Sequence, residues 1–163
     1  MTDPITQEKY FAYEVDCYGS FYFMDDPGYP SLMSLPFFGF ISDEDILFAN
    51  TKKRILSRKN PYYFSANVNG ILIDGLGSSH TKRNNLWPLF TIMRIITSED
   101  DTEISSSLQL LIDSAKSTGY MHESFNINKF NDYTRSWFAW ANSFFGYIIN
   151  DLIDRRKPYL IFK

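Results

Sequence analysis

The chain has 163 residues, 44% of them apolar and 18% aromatic, with a formal charge of −3 and a pI near 5.3. That size and composition fit one folded domain around one core and argue against intrinsic disorder. The acidic balance leaves nucleic-acid binding without support, and no apolar run reaches the length of a membrane span.

Met1-Thr2-Asp3-Pro4 is polar and acidic and does not read as a signal peptide. Taken alone the chain reads as cytoplasmic; a longer parent in the secretory pathway would carry its signal upstream. Gln7–Val15 reads as a short helix or an extended lead-in, and residues 16–29 as a loop with Gly19 and Gly28. Ser31–Phe40 is apolar and predicts a helix, with Pro30 acceptable in its first turn. Ser42-Asp43-Glu44-Asp45 opens the next helix, to about Ser57; early carboxylates and late Lys52, Lys53 and Arg54 suit its dipole.

Pro61–Asn85 is long, irregular and glycine-rich, with room for one small hairpin between Tyr62–Phe64 and Gly70–Ile73. Leu86–Thr97 predicts a helix apolar nearly all round, with Pro88 in its first turn. Asp100-Asp101-Thr102-Glu103 opens another, carrying Ile104, Leu108, Leu111, Ile112 and Ala115 at the helical period and ending at Gly119. The last predicted helix runs from about Thr134 to Asp154. Its wide apolar stripe includes Trp137, Phe138 and Ala141; Arg155-Arg156-Lys157 caps it and Pro158 stops it. These elements predict a mostly all-α chain of two or three antiparallel helix pairs with long loops.

The lone Cys17 excludes an internal disulfide and a cysteine-based zinc cage. His122-Glu123 is not a zincin motif, because Asn126 stands where the second histidine would be. With two histidines in all, no metal site and no cofactor are expected.

Glu123 leads the candidates for chemistry. It sits beside His122 between helices and is followed by Ser124 and Asn126. A carboxylate near a water and partly desolvated makes a general base; the alternative is a loop glutamate bonded to nearby amides. Asp25 and Asp26 precede Pro27-Gly28 and read equally as a grip on vicinal hydroxyls or as turn chemistry. His80 follows Gly75 and Gly77, but no Gly-Lys-Ser/Thr follows, so a sugar hydroxyl is a better partner than a phosphate loop's nucleotide. Arg135 suits a buried carboxylate or the solvent of a first helical turn. Trp137 and Trp140, three apart, would share a helix face, one toward the core and one toward a site mouth.

Several segments, in order, resemble glycoside hydrolase family 125. They are Ala12-Tyr13-Glu14-Val15-Asp16, Met24-Asp25-Asp26, Pro30-Ser31-Leu32-Met33-Ser34-Leu35-Pro36, His80-Thr81, Leu86-Trp87-Pro88, His122-Glu123-Ser124-Phe125 and the run from Thr134 to Asn142. The family comprises metal-independent exo-acting α-1,6-mannosidases, among them bacterial enzymes and fungal proteins named as meiotically up-regulated gene products. The resemblance implies an (α/α)6 toroid of six-hairpin type and an inverting mechanism on a terminal α-linked mannose. It makes Glu123 the general base. Asp25, Asp26, His80, Trp87, His122, Arg135 and Trp137 would line the pocket for an α-mannoside or mannose-containing glycan.

Two departures follow from the resemblance. Ser79 stands where the family usually has proline, and Lys82-Arg83 where it has small residues. Twelve helices make a toroid and this chain predicts about half, so it resembles the C-terminal part of the catalytic domain. The family's general acid, an aspartate, belongs to the preceding part. The expectation is a truncated, catalytically impaired glycosidase with apolar helix faces open to self-association. The alternative is a non-catalytic carbohydrate-binding or interaction protein derived from the same fold.

Overall fold

The computed structural model describes residues 1–155 and 157–162. The chain is 33% helical and 18% strand, with three small antiparallel sheets, which corrects the all-α expectation. Four helices alternate with these short sheets, a mixed α/β chain rather than the helix pairs of an (α/α)6 toroid read from the sequence.

Strands β1 (Glu14–Val15) and β2 (Phe21–Tyr22) make a two-residue ladder. No helix forms over Gln7–Val15; the Tyr10 amide donates instead to the Met1 carbonyl at 2.9 Å. Ser31–Phe40 is likewise a series of turns rather than a helix. Pro36 offers no amide to continue a helical ladder. The Leu32 and Met33 amides are taken by the Asp25 carboxylate at 2.7 and 3.0 Å.

Helix α1 (Ile46–Ile55) is capped by Asp45, whose carboxylate accepts from Leu47 N–H at 2.7 Å, and carries Lys52, Lys53 and Arg54 in its last turn. Both features match the sequence reading. Strands β3 (Tyr63–Val68) and β4 (Ile71–Leu76) form the expected hairpin, extended through most of the segment read as irregular. Its turn is Asn69-Gly70 with φ of 53° and 86°, the left-handed pair a tight two-residue turn requires.

Helices α2 (Pro88–Ile96), α3 (Asp101–Ala115) and α4 (Ala139–Asp154) supply the main core. Asp100 caps α3 by accepting from Thr102 N–H at 2.8 Å. Helix α2 is buried nearly all round because it lies between two clusters. Leu89, Ile92 and Ile95 join residues of α3 and α4, while Phe90 and Met93 join Leu32, Met33 and Phe48. Arg94 of α2 holds Asp74 at 2.9 Å and Glu103 at 2.6 Å, and Lys52 reaches Glu103 at 3.2 Å, so four elements share one ionic network.

The third sheet corrects the last helix. Strands β5 (Asn85–Leu86), β6 (Ser124–Asn126) and β7 (Lys129–Thr134) pair in that order, with a bulge at Phe125/Asn126. Thr134 therefore ends a strand. Arg135 has φ of 49°, a left-handed backbone that interrupts any helix, and α4 begins only at Ala139. Arg155 and Lys157 do not simply cap α4. The Arg155 guanidinium donates to the carbonyls of Ile95, in the last turn of α2, and Ser98 just beyond it, and Lys157 Nζ donates to Glu99 O at 2.9 Å. Arg156 lies outside the described residues. Trp140 and Tyr147, two turns apart on α4, are exposed. Among the described residues no helix is long and apolar enough to cross a membrane.

Gly75 lets β4 lie directly against β5: a Cβ there would stand 2.7 Å from Leu86 Cδ1. Leu86 is fully buried beside Phe125 and Ile127 and has little room to yield. Gly75→Val should cost about 1–3 kcal/mol, read as a lower urea midpoint at unchanged slope. An unchanged midpoint would mean that the two strands part freely.

Candidate active site

Glu123 stands at the junction of β6 with the loop after α3. Its amide donates to Thr134 O at 3.3 Å, so the end of β7 sets its backbone. Two residues earlier, Met121 is clamped by Asn142 of α4: Met121 N–H donates to Asn142 Oδ1 at 3.1 Å, and Asn142 Nδ2 donates to Met121 O at 2.9 Å. The same amide donates to Phe138 O at 2.8 Å, a bond back to the carbonyl that opens α4. Glu123 is thus fixed from both sides, by a strand end and a helix start.

Its side chain is only 15% exposed, and Oε1 lies 3.2 Å from Arg135 Nε. The Arg135 guanidinium also sits over the Phe138 ring, 5.6 Å from its centre. The left-handed backbone at Arg135 turns the chain so that this side chain meets Glu123 instead of continuing along the strand. Arg135 is 65% exposed, and Trp137, two residues on, and Trp140, which meets the Phe138 ring at 6.3 Å, are also open to solvent.

His122 is fully buried. Its Nδ1 donates to Ser136 O at 3.0 Å, its Nε2 lies 3.4 Å from Thr118 Oγ1, and its ring stacks on Tyr133 at 3.9 Å and 5°. Burial lowers its pKa and favours the neutral imidazole. His122 therefore braces the 134–138 loop from behind. Below it, Asn85 Nδ2 donates to Ser124 Oγ at 2.9 Å, and Ser124 meets Thr134 Oγ1 at 2.7 Å.

Trp87 is buried at 7% exposure. Its indole N–H donates to Thr81 Oγ1 at 3.0 Å and its ring meets Phe138 edge to face at 6.4 Å. Asp26 accepts from Gly28 N–H at 2.9 Å and from Ser78 Oγ at 3.4 Å; Ser78 Oγ in turn accepts from the amide of the exposed His80 at 3.2 Å. One chain of contacts thus runs from Trp87 through Phe138 and Arg135 to Glu123, while Ser78 and His80, on the loop that carries Thr81, form a second group with Asp26 from the turn before Gly28.

Asp25 stands apart. It is fully buried with both oxygens taken by backbone amides, and burial pushes its carboxyl up to about 7. It orders the turns that follow Tyr29, whose ring packs edge to face on Trp140 at 6.0 Å and Phe144 at 4.7 Å. Sequence reasoning gave Phe138 to the apolar stripe and assigned no site role to Asn142 or Tyr29. The signal for Asn142 was its place four residues after Phe138, where a side chain in a first helical turn can bond back to the i−4 carbonyl. Among the described residues no cluster of three His, Cys, Asp or Glu forms a metal-binding group.

This constellation can hold a base and pack sugar rings. The family model for metal-independent alpha-mannosidases, GH125, matches residues 1–150. The chain belongs to glycoside hydrolase family 125. It is 47% identical over 156 residues to the meiotically up-regulated gene 157 protein of Schizosaccharomyces pombe, covering 95% of this chain and 30% of that protein. It superposes with a TM-score of 0.86 and 37% identity on a metal-independent alpha mannosidase of Streptococcus pneumoniae, in a non-productive complex with alpha-1,6-mannobiose. That match covers 94% of this chain and 35% of the streptococcal one. This family 125 chain therefore spans about a third of the length of the relatives it matches.

Proposed function

We propose that the chain carries the general-base part of an inverting exo-α-1,6-mannosidase site, with Glu123 as the base. The observation that supports this most directly is the placement of Glu123: a carboxylate only 15% exposed, tethered through one oxygen to Arg135, whose guanidinium lies over the Phe138 ring. In this reading Glu123 takes a proton from the water that attacks C1 of the terminal mannose. The attack comes from the face opposite the departing oxygen, so α-mannoside becomes β-mannose. Arg135 orients the carboxylate. Trp137 packs on the apolar face of a sugar ring, and Asp26 and His80 bind hydroxyls. Trp87, His122 and Asp25 hold these groups in place. The general acid comes from outside these 163 residues, in keeping with the third of the relatives' length that the chain spans.

Leaving-group chemistry separates the two halves of such a site. Fluoride departs from α-mannosyl fluoride without protonation, whereas the glycosidic oxygen of α-1,6-mannobiose needs an acid. We expect the chain to release fluoride from α-mannosyl fluoride with β-mannose as the first product seen by NMR. Mannobiose hydrolysis should lag by about 10²–10⁴-fold, the usual effect of one acid–base group. Brisk mannobiose hydrolysis would place the acid within the chain. α-Mannose as first product would end the inverting assignment. A folded chain that binds mannosides but never releases fluoride would be a binding protein rather than half an enzyme.

A further inference from the structure

A cavity of about 490 Å³ opens beside the loop that carries Ser78 and Thr81. One wall is the start of β3, with Tyr62 and Phe64; the other is the 77–84 loop, with Ser78, Thr81, Lys82 and Arg83. The loop is firmly built. Thr81 N–H donates to Ser78 O at 3.3 Å, Asn85 N–H to Lys82 O at 3.1 Å, and Ile127 N–H to Asn84 O at 3.0 Å. Gly77 lets the walls meet closely, since a Cβ there would lie 3.0 Å from Asn85 O and 3.2 Å from Phe64 Cε1.

The lining chemistry is uneven. Thr81 Oγ1 accepts from Trp87, and its own proton is free to be donated; the Tyr62 hydroxyl makes no hydrogen bond among the described residues. Arg83 has no ionic or hydrogen-bond partner among the described residues. Lys82 has one weak partner, Asp132 at 3.4 Å, with side chains 71% and 40% exposed. Two adjacent cations thus stand over a cavity with rings and hydroxyls in its walls, on a chain whose net charge is −3. A neutral glycan uses rings and hydroxyls and has no use for the cations. A phosphomonoester supplies close to two negative charges and oxygens that match a guanidinium fork.

We propose that this cavity is a subsite for a phosphorylated sugar, the hexose lying against Tyr62 and Phe64 with its phosphate on Arg83 and Lys82. The identity of that sugar as mannose rests on the proposed function; the anion subsite does not. Ser78 joins the cavity to Asp26 through their 3.4 Å contact, so an occupant would lie beside the group assigned to the terminal sugar.

The test is titration of the whole chain by NMR with four probes: mannose 6-phosphate, methyl α-mannoside, glucose 6-phosphate and inorganic phosphate. Mannose 6-phosphate should bind at least about tenfold more tightly than methyl α-mannoside. Lys82→Ala/Arg83→Ala should erase that difference, as should 0.5 M salt, about the screening expected for exposed pairs. Both side chains are exposed, so the double variant should fold, which circular dichroism would confirm. Equal affinities for sugar phosphate and mannoside in the wild type would overturn the proposal, and so would a difference that survives the double variant. Inorganic phosphate binding as tightly as the sugar phosphates would also overturn it, leaving a simple anion site. Glucose 6-phosphate matching mannose 6-phosphate would uphold the anion subsite and count instead against the mannoside reading of Glu123.

Discussion

Glu123→Gln should slow fluoride release from α-mannosyl fluoride by about 10²–10⁴-fold while leaving methyl α-mannoside affinity within about threefold. The amide keeps the volume and one oxygen acceptor of the carboxylate, so the position facing Arg135 Nε at 3.2 Å remains filled. What it loses is the capacity to accept a proton from the attacking water. Binding uses the exposed rings and hydroxyl partners, which the substitution leaves in place. A loss shared equally between affinity and turnover would instead describe a residue that shapes the pocket. Undiminished turnover would move the base to another carboxylate.

Asp25→Ala should lower stability by about 2–5 kcal/mol, the largest single effect expected outside the core clusters. Leu32 and Met33 amides donate to the Asp25 carboxylate at 2.7 and 3.0 Å in a fully buried setting. Alanine would leave both donors without partners, at about 1–3 kcal/mol each. The wild type should also show a pH signature. Burial raises the Asp25 carboxyl from 3.8 to about 7 in the folded state, against the two amides that favour its charge. Between those values the folded state holds a proton that the unfolded state has released. The contribution of Asp25 is therefore full at and below about pH 4 and is lost as pH rises through about 7. Asp25→Asn does not titrate, so urea midpoints between pH 4 and 7 should slope less in that variant than in the wild type. Parallel slopes would show that the two amides outweigh burial.

These two carboxylates mark how far the chain could be read before its structure. Glu123 stood out through its neighbours, and the motif from Thr134 to Asn142 pointed to the same place. The adjacent aspartates 25 and 26 could not be ranked, because which of them turns inward depends on amides seven and eight residues later. Helices α1 and α3 were legible because each carries its own cap and charge pattern. The third sheet was not. Strands of two and three residues have no period to detect, and β5 pairs with β6 across α2 and α3. The apolar stripe of α4 extends back through Trp137 and Phe138, which imitates a longer helix; the strand register of β7 and the left-handed Arg135 override it. Pro36 similarly marks why the apolar run after Pro30 does not coil.

The pairing of β5 with β6 also sets a timetable. Asn85 and Ser124 are hydrogen-bonded although 39 residues separate them, and Met121 waits on an amide that arrives with Asn142. During synthesis the β3–β4 hairpin and helix α1 can form as soon as they emerge, whereas α2 and α3 complete their core only when α4 supplies Ala141, Ile148 and Leu152. Glu123 cannot settle until the first turn of α4 has been made. A nascent chain thus completes its packed centre and the setting of Glu123 together, when α4 arrives. In breathing, a brief undocking of the first turn of α4 alone would release Glu123 while Ile148 and Leu152 stay packed on α2, so amide exchange at Met121 and Glu123 should outpace that of Ile92 and Ile95.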